Sequence, residues 1–98
     1  MLGWMAAAAL AGAVSVAELE KARDRQDRAA LDRLAGEFAT AAEKSPKEPG
    51  AQVQAALAHS YVAEIAIEVR DRNRARDAAE AGIRLAQQAV ALDRKSVV

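Results

Sequence analysis

The side chains able to do chemistry in this sequence are few, and each lacks the company that chemistry needs. His59 is the one imidazole among 98 residues, and there is no cysteine. A metal or catalytic site built on His59 would need a second His, a thiolate, or a carboxylate at ligand spacing. None stands beside it in the chain, and His59 reads as an ordinary histidine projecting away from its neighbours Leu57 and Tyr61. Glu64 and Glu68 lie four apart on one helix face, the spacing a di-metal bundle uses. Such a bundle also needs a paired Glu-x-x-His, which is absent, so the two carboxylates read as an exposed or groove-lining stripe. There is no Gly-rich phosphate loop, no Gly-x-Ser-x-Gly and no His-Glu-x-x-His. The expectation is a non-enzyme with no catalytic, cofactor-binding or metal residues.

The densest basic run is Arg70-Asp71-Arg72-Asn73-Arg74-Ala75-Arg76-Asp77. Four arginines suggest phosphate contact, but two aspartates interrupt them and no aromatic side chain interleaves for base stacking. With 14 basic and 14 acidic residues the chain is formally neutral, which removes the bulk electrostatic case for nucleic acid or an anionic membrane. The run reads as a solvated turn with charge pairing at helix ends, Asn73 being its best turn former or N-cap.

The elements that must position these residues are helical. Hydrophobic residues make up 52% of the chain, yet 27 of them are Ala, the best helix former and a poor strand former. From 18 to 44, Leu19, Ala22, Gln26, Ala30, Leu34, Phe38 and Ala41 recur at three or four residues, widened by Leu31 and Ala35. One helix is expected there, its charged face laced by pairs such as Asp24–Arg28. Ser45-Pro46-Lys47-Glu48-Pro49-Gly50 then ends it. A second helix is expected over 51–70, its ridge formed by Val53, Leu57, Tyr61, Ile65 and Val69 and flanked by Ala58, Val62 and Ala66, central and packed on two sides. A third is expected over 74–92, with Ala75, Ala78, Ala79, Gly82, Leu85, Ala86, Ala89 and Leu92 inward. Gly82 lowers helix propensity by up to ~1 kcal/mol against Ala, so another helix should come close to it. The second and third helices should form an antiparallel hairpin with the first against it.

The two ends have their own character. Residues 1–17 carry no charge and end in Ser15-Val16-Ala17, small residues suited to a signal peptidase. The run is short for a membrane span of ~20 residues, and no Lys or Arg precedes it. It is expected to be an export signal, or an apolar anchor if uncleaved. Asp93-Arg94-Lys95-Ser96-Val97-Val98 matches the translation of a common sequencing adapter and is expected to be foreign to the protein.

Between these ends the residues resemble tetratricopeptide repeats. Phe38, Ala41 and Pro46 are spaced like the aromatic, small residue and terminal Pro of a repeat's second helix. Leu57-Ala58 followed by Tyr61 matches the first helix of the next repeat, and Ala89-Val90-Ala91-Leu92-Asp93 is similar to the motif closing one. Arg94 stands where the closing Pro would come, and the distance from Pro46 exceeds the usual ~34 residues, so both helices of this hairpin are long. The resemblance implies an all-α fold of antiparallel helical hairpins: three helices after an N-terminal apolar helix, beginning an α-solenoid. It also implies a non-catalytic protein–protein interaction scaffold, periplasmic or secreted from a bacterial cell. A protein or peptide partner would lie in a groove lined by the first helix of each hairpin, here by Gln52, Ala56, His59 and Ala63. The alternatives are a structural helical module anchored in the membrane through 1–17, or the non-catalytic N-terminal part of a larger protein.

Overall fold

The computed structural model describes residues 16–97, so the apolar run up to residue 15 lies outside the described residues. What is described is all helical: α1 (16–24), α2 (Arg28–Lys44), α3 (Pro49–Glu68) and α4 (Arg72–Val97). The all-α expectation holds, but the single helix expected over 18–44 is two. Gln26 sits at φ 54°, in the left-handed region, and its N–H donates to the Arg23 carbonyl at 3.0 Å. The Asp27 N–H reaches back to the Ala22 carbonyl at 2.9 Å. This pair of bonds is a Schellman ending, which closes off the last carbonyls of α1. Asp27 then starts α2, its side chain accepting the Ala30 N–H at 3.1 Å.

The same device joins α3 to α4. Arg70 is left-handed at φ 63°, and its N–H donates to the Ile67 carbonyl at 3.0 Å. The Asp71 N–H donates to the Ala66 carbonyl at 2.8 Å, and Asp71 Oδ1 accepts the Arg74 N–H at 3.2 Å. The cap is therefore Asp71, not Asn73, and α4 begins two residues earlier than expected. At the other end α4 continues beyond 92, through to Val97. Pro49 occupies the first turn of α3, where its missing N–H leaves no bond unmade, so α3 begins before the expected 51. It also ends at Glu68, short of the expected 70, because the left-handed Arg70 belongs to the turn.

The two hairpins lie with their turns side by side. Gln26 Nε2 donates to Glu68 Oε2 at 2.8 Å, Arg28 pairs with Asp71 at 3.5 Å, and Arg74 pairs with Asp32. Arg28 is thus committed to the neighbouring hairpin rather than to Asp24, which Arg23 binds at 3.0 Å. Arg23 also donates to the Tyr61 hydroxyl at 2.9 Å and lies 4.7 Å from the centre of its ring, a cation–π contact that fastens α1 to α3.

The core gathers Leu19 of α1, Leu31, Leu34 and Phe38 of α2, and Val62 and Ile65 of α3, filled in by buried alanines. α3 packs against both α2 and α4, as its apolar character required. Its inward face is nevertheless Gln52, Ala55, Ala58, Val62, Ala63, Ile65 and Ala66, and the expected ridge runs along the edge of that face. Val53 and Val69 are exposed, and Leu57 and Tyr61 half-buried. Two helices pack on α3, and most of the side chains buried beneath them are alanines, with Gln52, Val62 and Ile65 among them. Gln26 and Ala41 are also exposed, because the break at 25–27 resets the phase of the helical stripe. Ala79 and Ala86, expected inward on α4, face solvent.

Replacing a non-Gly residue at positive φ by Gly removes a steric penalty. Arg70→Gly should therefore stabilise the fold by about 1 kcal/mol, raising the melting temperature by roughly 4–8 °C. Asp71→Ala should lower stability by about 1 kcal/mol through the lost cap. Thermal melts followed by circular dichroism measure both.

Candidate functional site

α2 and α4 flank α3 and meet each other through the Asp32–Arg74 pair close to the turns. Above that pair they leave a furrow floored by α3. The part nearer the turns holds about 510 Å³, between Gly36 of α2 and Asp77 of α4, with Val62 beneath. The part farther from the turns holds about 600 Å³ and is bounded by Ala39, Glu43 and Pro46 on one side and Arg84, Leu85 and Gln88 on the other. His59 and Ala81 line both parts.

The four expected groove residues separate here. Gln52 and His59 lie on the floor of the furrow. Gln52 is buried, and its Nε2 donates to the Ala42 carbonyl at 3.1 Å and the Ser45 carbonyl at 3.3 Å. It closes the end of α2 and so has a structural task. Ala63 is buried in the core, and Ala56 is half-buried beneath α4. Gly82 explains the second placement. A methyl group built on it would stand 3.4 Å from the Ala56 carbonyl and 3.6 Å from His59 Cβ, so α4 does come close at this glycine.

His59 is half-buried, and no hydrogen bond to its imidazole is present among the described residues. Burial first, and the nearby Arg84 charge second, hold its pKa below the ordinary histidine value. Both effects disfavour a second positive charge, so the ring is neutral near pH 7. Arg84 and Glu43, across the furrow from one another, have no ion-pair partner among the described residues. Neither was singled out in the sequence, because only the arrangement of three helices brings them to one cleft.

The other candidates are largely occupied. Glu68 accepts the Gln26 bond while Glu64 is exposed, and the two do not form a joint site. In the basic run, Arg74 is taken by Asp32, and Arg76 lies 3.8 Å from Asp77 and 3.5 Å from Asn73. Among the described residues no three His, Cys, Asp or Glu side chains are grouped to hold a metal ion. The furrow thus offers walls of small apolar residues, a floor with one neutral imidazole able to donate or accept, and a separated cation and anion on its rims. No family model, curated protein or solved structure matches this chain, so the likeness to tetratricopeptide repeats rests on the residues quoted for it.

Gly82→Ala should gain up to ~1 kcal/mol of helix propensity, since the added methyl meets only ordinary contacts. Gly82→Leu should lose about 1–3 kcal/mol by forcing α3 and α4 apart. Urea unfolding of the two variants separates these outcomes. For His59, the folded chain holds its proton more weakly than the unfolded chain does. Stability from this residue is therefore full above ~6.5, the unfolded value, and falls as pH drops toward the folded pKa. His59→Gln should flatten the stability curve between about pH 7 and 5, and NMR of the wild-type ring should titrate below ~6.5.

Proposed function

We propose that this chain is a non-catalytic protein-interaction scaffold of tetratricopeptide type, exported from a bacterial cell, and that a partner peptide or helix lies in the furrow between α2 and α4. The observation that carries this reading is the open cleft itself. It is walled by Ala39, Ala81 and Gly36, floored by His59, and rimmed by the unpaired Arg84 and Glu43. Small walls admit a helix or extended segment closely, in the manner of grooves that take one apolar face of a peptide. Arg84 and Glu43 then fix its direction, because opposite charges on opposite rims prefer one orientation of a dipolar partner. Neutral overall charge leaves shape and these local groups to set selectivity.

A second reading has one observation in its favour. Val16 packs against the core, and cleavage after Ala17 would remove that contact. Retention of 1–17 would keep that contact and make the chain a structural helical module held at a membrane. Among the described residues no helix is long and apolar enough to cross one, so the anchor would be residues 1–17. N-terminal sequencing of the protein from its producing cell decides between them: a start at Glu18 supports export, and retention of Trp4 supports the anchor.

The furrow reading is tested with peptides selected from a random library on the full chain. Binding should be abolished by Ala81→Trp, which fills both halves of the furrow, and weakened about tenfold or more by Arg84→Glu. Isothermal titration of the selected peptides measures both. Peptides that bind Ala81→Trp as well as wild type would sink the proposal.

A further inference from the structure

We propose that the outer flank of the α3–α4 hairpin is a self-association surface, which takes a second copy of this chain by antiparallel pairing of α4 with α4. The large apolar side chains left in solvent among the described residues are Val53, Ile67, Val69, Ile83 and Val90. All belong to the second hairpin, and none to α1 or α2.

Their placement follows from Gly82. Its missing side chain is directed at Ala56, His59 and Ser60, which marks the line of α4 that faces α3. Ala81, Leu85 and Gln88 lie to one side of that line, along the furrow. By helical geometry, Ala79, Ile83, Ala86 and Val90 lie to the other side. Their spacing of four, three and four residues makes a continuous stripe of the kind that pairs helices. Ile83 is 59% exposed and Val90 54%, so none of the described residues covers the stripe. On α3 the same helical count puts Val53 and Ile67 on this flank, widening it beyond one helix.

The order of sizes along the stripe selects the occupant. It reads small, large, small, large from Ala79 to Val90. Reversed by a twofold axis, Ala79 meets the partner copy's position 90 and Ile83 meets position 86, so every large side chain lies against a small one. A closed, isologous contact needs this self-complementarity. Parallel pairing would instead set Ile83 against Ile83 and Ala79 against Ala79, with clash and void alternating. In the antiparallel register Glu80 faces the neutral position 87, so these flanking positions bring no like charges together. The neutral net charge adds no long-range repulsion between copies.

Sedimentation of the full chain should show a reversible dimer. Ile83→Glu should raise its dissociation constant tenfold or more while the helical circular dichroism stays unchanged, because Ile83 is not part of the core. The chain has no cysteine, so introduced thiols report the register without background. A mixture of Ala79→Cys and Val90→Cys chains should oxidise mainly to the mixed disulfide. Three results would overturn the proposal: a monomer at all concentrations, a dimer that survives Ile83→Glu, or a preference for the Ala79→Cys homodisulfide.

Discussion

A left-handed residue followed by an aspartate cap, used once at Gln26-Asp27 and again at Arg70-Asp71, is the constraint on which the rest of this structure depends. Each turn uses two backbone bonds to finish one helix and one side-chain bond to start the next. The chain reverses within three residues and without glycine, at some conformational cost to Gln26 and Arg70. Because both turns have one geometry, the hairpins can lie in the same sense with their turns adjacent. Gln26–Glu68, Arg28–Asp71 and Asp32–Arg74 then cross from one to the other. Such exposed pairs contribute about 0–1 kcal/mol each, so they set register more than they hold the molecule together. Cohesion comes from the leucines, Phe38, Val62 and Ile65 beneath them.

Alanine then decides how the remaining helices sit. A buried methyl contributes less than 1 kcal/mol on a scale of ~25 cal/mol per Å², so an alanine face yields little energy per residue. What it yields is proximity, seen where α4 approaches α3 at Gly82 and Ala56. α2 and α4, each packed against α3, are linked to each other by Asp32–Arg74, and the furrow is the space between them. The small side chains of the cleft stand on its walls, at Gly36, Ala39 and Ala81, while Gln52, His59 and Val62 of α3 form its floor.

This explains which features were legible in the sequence. Helix content followed from Ala abundance and three-to-four spacing, and the close approach at Gly82 from a costly residue in a helix. The break at 25–27 was not legible, since Arg25-Gln26-Asp27 holds neither Gly nor Pro and the apolar stripe continues on both sides of it. A clue was present in its twin: Asp27 precedes Arg28 as Asp71 precedes Arg72, each after a charged cluster. The Val53–Val69 ridge misled because regular spacing marks a stripe on one helix without saying where its neighbours lie. Of the groove residues, His59 and Gln52 reached the furrow, but Arg84 and Glu43 are far apart in sequence and had no local signature.

The two surfaces of the second hairpin bear on each other through geometry. The furrow opens on the side of α4 that carries Ala81, Leu85 and Gln88, and the Ala79–Val90 stripe lies on the opposite flank. A second copy seated on that stripe leaves the furrow uncovered in both chains. The twofold axis then sets two furrows in fixed relation, joined through rigid helices rather than a linker. For a partner that presents its segment twice, the second binding event becomes intramolecular, and avidity can exceed single-site affinity by ~10²–10⁴ without any new contact.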